Sequence, residues 1–122
     1  MYRDVGDVIA RVQETVAYLD IDLQDINQRS MFDDTPLIVV VGWGDVAAAK
    51  LLLQSGADVD ARGENGDTAL HRAALFGHGE VASLLLKNGA SASAMNLEGL
   101  TALEWATRCG SAEVVEVLRT VS

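Results

Sequence analysis

Landmarks in this chain return every 33 residues, and that step constrains the fold more than any other property of the sequence. Thr35-Pro36-Leu37, Thr68-Ala69-Leu70 and Thr101-Ala102-Leu103 stand one step apart. Gly44, Gly77 and Gly110 keep the step, as do Gly56 and Gly89. So do the triplets Leu51-Leu52-Leu53 and Leu84-Leu85-Leu86, with Val117-Leu118-Arg119 in third place. Upstream, Asn27, Asp60 and Ser93 repeat in the same register, and so do Asp25, Asp58 and Ser91. A period held at several independent landmarks describes a stack of one small unit, each copy burying its apolar face against the next. Such stacks generally hold other macromolecules rather than run chemistry.

Each unit has the same plan. A polar stretch (Asp33-Asp34, Gly66-Asp67, Gly99-Leu100) precedes a threonine whose hydroxyl suits a helix N-cap. A short helix then runs to Gly44, Gly77 or Gly110, where glycine permits the positive φ of a helix exit. A second helix carries the leucine triplet and ends near Gly56 or Gly89. Neither helix is long enough to be stable alone in water, so each depends on its neighbours. The units span 30–62, 63–95 and 96–122. Residues 1–29 precede them as a capping helix and lead-in, and the whole is expected to be one structural domain. In that lead-in, Val5, Val8, Ile9, Val12, Val16 and Leu19 form one apolar face of a helix expected from Asp4 to Leu19. Arg119 replaces the third leucine of its triplet, and Ser122 falls one step after Gly89. The chain is therefore expected to stop with its last outer helix, as a complete small protein.

Composition narrows the function classes. With 122 residues and 49% hydrophobic side chains, the chain can bury a core without disulfides or metals. Eighteen acidic residues against nine basic ones give a net charge of −9. That disfavours nucleic acid and anionic membrane surfaces, both of which need clustered Lys and Arg. It favours encounter with a basic protein, although an acidic excess also serves solubility alone. The longest apolar run, Pro36–Val41, is far short of the ~20 residues that a membrane span needs. The N-terminus lacks the pattern of a secretion signal, and the single Cys109 can form no internal disulfide. A reducing, cytoplasmic setting is expected.

At this point the residues resemble a known family. Gly66-Asp67-Thr68-Ala69-Leu70-His71-Arg72-Ala73-Ala74, then Gly77-His78-Gly79-Glu80-Val81 and Leu84-Leu85-Leu86-Lys87-Asn88-Gly89-Ala90, is similar to the ankyrin repeat. Gly44-Asp45-Val46 through Val59-Asp60 resembles the second half of another copy. The resemblance covers about residues 24–122. It implies an all-α solenoid of stacked helix pairs with short β-turn fingers, whose concave face generally binds protein partners. Two units depart from the pattern. Ile38-Val39-Val40-Val41 stands where the family usually has a histidine and paired alanines, and Glu104-Trp105 stands where the second unit has His71-Arg72.

One stretch imitates a different chemistry. Leu37–Val41 running into Gly42-Trp43-Gly44-Asp45-Val46-Ala47 reads as a strand entering a G-x-G-x-x-A dinucleotide turn, with Asp58 or Asp60 downstream as a ribose contact. The 33-residue register contradicts it, because Leu70–Ala74 and Leu103–Thr107 hold the same positions in helices. No further strands exist to build the sheet such a turn needs. No cofactor is expected. His71 and His78 are too few for a zinc site, and Cys109 has no catalytic motif beside it. The resemblance gives His71 the structural task of tying finger to helix. The pair Asp33-Asp34 is expected in a solvated turn.

The register selects the finger tips and the ends of the first helices as the partner-binding surface. These are Met31, Phe32, Asp34 and Trp43 in the first unit, and Glu64, Asn65, Asp67, Leu75 and Phe76 in the second. In the third they are Leu97, Glu98, Leu100 and Arg108, with Cys109 beside them. Large apolar side chains ringed by acids make a binding patch, and Trp43 and Phe76, one unit apart, are expected to stand side by side. The expected function is non-catalytic: a monomer when free that binds another protein with a basic surface. Small size and acidic charge suit a stand-alone inhibitor. The resemblance extends to small ankyrin proteins that bacteria use as immunity factors against toxins. The alternative is a scaffold or regulatory adaptor in signalling, such as a kinase inhibitor.

Overall fold

Three threonines set where the inner helices begin. Thr35, Thr68 and Thr101 take extended backbones, and their hydroxyls accept the amides of Ile38, His71 and Glu104 at 3.4, 3.4 and 3.3 Å. Each hydroxyl satisfies an amide that the first turn leaves unpaired. In the computed structural model, which describes residues 2–13, 27 and 34–120, the capped segments are the helices α2 (Pro36–Gly42), α4 (Ala69–Phe76) and α6 (Ala102–Cys109). Between and around them lie α1 (Val5–Gln13), α3 (Val46–Gln54), α5 (Gly79–Lys87) and α7 (Ala112–Arg119), and a 3-10 turn at Glu64–Gly66. No strand occurs among the described residues, and no helix there is long and apolar enough to cross a membrane.

The helices pack in two rows. α2, α4 and α6 touch in sequence to form the inner row, while α3, α5 and α7 form the outer one. Within a unit, the inner helix leaves through a left-handed glycine, Gly77 at φ 73° and Gly110 at φ 72°, and the outer helix folds back on it. Leu37, Leu70, Ala73, Ala74, Leu52, Leu85 and Leu118 are buried between the rows and between neighbouring units. Leu37–Val41, the stretch that imitates a nucleotide-binding strand, lies within α2. Its Leu37, Ile38, Val40 and Val41 are buried. β-branched residues cost a few tenths of a kcal/mol each in a helix. Burial of each of these side chains returns about 1.5–3 kcal/mol, so packing prevails over propensity.

Gly44 is required for a reason beyond its φ of 72°. A Cβ there would lie 2.7 Å from Cε1 of His78, which reaches across from the second unit to place Nε2 at 3.2 Å from the Gly42 carbonyl. The imidazole occupies the space that any other residue would need.

A second recurrent link runs along the loops. The Asn27 side chain accepts the Asp58 amide at 2.8 Å, and the Asp60 side chain accepts the Ser91 amide at 2.9 Å. Asn27 and Asp60 are one step apart, as are Asp58 and Ser91. The periodicity upstream of Thr35 is therefore that of a staple that joins each loop to the one a step further along.

The N-terminal helix is expected from Asp4 to Leu19. The structure shows α1 over Val5–Gln13, while Val16 and Leu19 lie outside the described residues. α1 packs on α2 and α3 and fully buries Val8 and Val12. Tyr2 fastens it, donating its hydroxyl to Asp45 Oδ2 at 2.7 Å and accepting from Arg11, which also pairs with Asp45 at 3.3 Å. Burial raises the Tyr2 phenol above its ordinary pKa; the Asp45 carboxylate acts in the same direction and Arg11 opposes it.

Candidate functional site

The fingers project where a short turn leads into each inner helix. In the second unit Gly63 donates to the Asp67 carbonyl at 2.8 Å, and in the third Asn96 donates to Leu100 at 3.0 Å. The two fingers join directly, because the Leu97 amide donates to the Asn65 carbonyl at 2.9 Å. Asn65 reaches this position with φ 62°, a conformation that Asn tolerates better than most residues. The Asn96 side chain holds the third finger closed. Its Oδ1 accepts the amides of Glu98 and Leu100 at 2.9 and 3.1 Å, and its Nδ2 donates to Asp67 at 2.9 Å.

His71 connects finger to helix, as the resemblance implies. Its Nδ1 lies 2.9 Å from the Thr68 hydroxyl and 3.2 Å from the Thr68 amide, closing a capping box. Its Nε2 lies 2.8 Å from the Leu100 carbonyl in the next finger. The amide at Nδ1 makes that nitrogen the acceptor, so Nε2 carries the proton and donates to Leu100. In the third unit Glu104 closes the same box through Oε1, 3.2 Å from the Thr101 amide. His71→Ala leaves the Leu100 carbonyl and the Thr68 amide without these partners in a buried site. A loss of about 2 kcal/mol in a urea titration is expected; a change below about 0.5 kcal/mol would show that the ring is not a fastening.

The expected binding residues separate by exposure. Leu75, Phe76 and Leu97 are exposed by 40%, 53% and 80%, and Glu64, Asn65, Glu98 and Arg108 are exposed as well. Glu64, Asn65, Leu75 and Phe76 share one hollow of about 240 Å³ with Asp67 and Arg72. Leu100 is half-buried and acts through its backbone. Met31 and Phe32 lie outside the described residues.

Two acids are placed differently from expectation. Asp34 and Asp67 are each only 7% exposed. Asp34 takes the guanidinium of Arg72 at 3.1 and 3.2 Å and the Glu64 amide at 3.4 Å. Asp67 takes Asn96. Burying a carboxylate requires such partners, so these two side chains shape the fingers from within, and the solvated turn expected at Asp34 is corrected. Among the described residues the acidic rim includes instead Glu64 and Glu98, the latter with Oε2 at 3.5 Å from Asn65 Nδ2.

Trp43 is less exposed than Phe76, at 36%, and the Arg11 guanidinium of α1 lies over it, 4.5 Å from its ring centroid. Phe76 lies against the second unit's own His78, with centroids 6.2 Å apart, and its ring comes within 3.7 Å of a Cβ placed on Gly42, the residue before Trp43. Cys109 is exposed at the end of α6. The residues that periodicity does not reveal are Arg11, Arg72 and Asn96. The Asp34–Arg72 pair bridges 38 residues and matches no step of the repeat. Asn96 had a visible signal, an amide side chain three residues before the turn glycine Gly99.

The family model described as ankyrin repeats (3 copies) matches residues 8–96 and again residues 37–121. No curated protein matches the chain significantly. Ankyrin repeats generally act as non-catalytic modules that bind other proteins. The threonine-capped helix pairs, linked fingers and matched residues agree throughout, and the chain belongs to the ankyrin-repeat family.

Proposed function

We propose that this chain binds and inhibits one protein partner with a basic surface, through the finger face centred on Phe76, and performs no catalysis itself. The observation that supports it is the set Leu75, Phe76 and Leu97, which stand exposed beside the Glu64 and Glu98 carboxylates. Exposed apolar side chains within a polar rim are the usual composition of a protein-binding patch. The net charge of −9 speeds encounter with a cationic partner. A bacterial toxin domain neutralised by its immunity protein fits this charge relation; a signalling kinase held by a regulatory ankyrin protein is the second member of the class.

Affinity capture from the source cells, followed by an assay of the captured protein's own activity with and without this chain, tests the reading. Phe76→Ala is expected to leave the melting temperature nearly unchanged and to weaken binding by more than about 1 kcal/mol. Inhibition relieved in Phe76→Ala supports the proposal. A partner that stays fully active when bound would make the chain a tether, and a partner that binds Phe76→Ala equally well would move the site away from the finger face.

A further inference from the structure

The chain has two lysines, Lys50 and Lys87, and both line the same groove on the side of the molecule built by the outer helices. The groove runs between α3 and α5, has a volume of about 480 Å³, and is distinct from the finger hollow. Val46 and Leu84 form its apolar part, Ser83 contributes a hydroxyl, and Glu80 sits at the end where α5 begins. Lys50 lies in the middle of α3 and Lys87 closes α5, so the positive charge runs from the middle of the groove to the end opposite Glu80.

The two lysines differ from most of the chain's cations. Arg3, Arg11 and Arg72 pair with Asp7, Asp45 and Asp34. Arg62 donates to the carbonyls of Gly66 and Met95. Lys50 and Lys87 are exposed and join no ion pair among the described residues. In a chain with twice as many acids as bases, two ammonium groups without an ion pair line one groove that also holds the apolar Val46 and Leu84.

We propose that this groove docks an acidic peptide segment of a partner protein, with one aliphatic side chain against Val46 and Leu84 and carboxylates at Lys50 and Lys87. The seat is independent of the finger face and prefers the opposite charge. Two such faces would let the chain hold a basic protein on one side and an acidic segment on the other. Glu80 orients the ligand, because like charges repel and the acidic end of the segment must lie toward Lys87.

The test is fluorescence polarisation of a fluorescein-labelled Gly-Leu-Gly-Glu-Glu peptide, acidic at one end only, with the full chain at moderate ionic strength. Saturable binding is expected, weakened about tenfold by Lys50→Glu and by Lys87→Glu, since each reversal turns an attraction into a repulsion. A peptide with serine in place of leucine should bind less tightly, and Phe76→Ala should bind the probe as the parent does. Lys50→Gln and Lys87→Gln, which remove charge without adding repulsion, should fall between. Four results would each overturn the proposal: no saturation, full affinity in Lys50→Glu or Lys87→Glu, equal binding of the serine peptide, or loss of binding in Phe76→Ala, which would place the peptide on the finger face.

Discussion

Leu70→Ala should cost about 3 kcal/mol of folding stability, within the ~2–5 kcal/mol typical of a buried leucine truncated to alanine. Leu70 is 1% exposed on α4, the central helix of the inner row, which packs on both α2 and α6. The truncation removes transfer energy and leaves a cavity that two rigid neighbours cannot close together. The same substitution one step along the chain provides an internal control. Leu103 stands at the equivalent position of α6 but is only half-buried, so Leu103→Ala should cost about 1 kcal/mol, scaled by its smaller buried area. Urea titrations of both variants measure the difference. Equal losses would mean that stability does not come from burial between neighbouring units, contrary to the behaviour expected of a stack held by nearest-neighbour contacts.

Asp34→Ala should be of similar size, about 3 kcal/mol, because breaking a buried pair leaves an uncompensated charge behind. The Arg72 and Asp34 side chains are 16% and 10% exposed. Removing the carboxylate also frees the Glu64 amide that it holds across the unit boundary. Two consequences can be measured. Stability in a urea titration falls, and partner binding falls with it because Glu64 belongs to the hollow under Phe76. Replacing both members, Asp34→Ala with Arg72→Met, should recover a substantial part of the loss, since the double variant has no stranded charge. A double-mutant cycle isolates this coupling. A double variant no more stable than Asp34→Ala would show that the pair's charge is not what matters there.

Much of the molecule was legible because the repeat encodes local chemistry. Threonine caps and left-handed glycines recur in register and act within a few residues of themselves, while the leucine triplets recur at the step that lets one unit pack on the next. The helix over Leu37–Val41 was legible for the same reason: the register outweighed a β-branched composition that suggests a strand. The candidate face was legible only in part. Phe76, Leu75 and Leu97 are exposed as their positions imply. Asp34 and Asp67 hold equally regular positions, yet face inward. A carboxylate beside a finger can point to solvent or to a buried partner, and the choice depends on whether a donor such as Arg72 or Asn96 stands opposite it.

Trp43 shows the same division. Its register equivalence to Phe76 is a property of the sequence, but Arg11, 32 positions earlier, covers its ring. That contact exists because α1 lies across α2 and α3, an arrangement set by the burial of Val8 and Val12 rather than by the period. The sequence by itself determined the unit, its caps, its exits and the stacking of one copy on the next, since these follow from interactions repeated at a constant step. Only the tertiary structure decided which charges are spent inside the fold and which remain on its surface. Charges pair across distances that no local pattern records, and their partners are known only once the units are stacked.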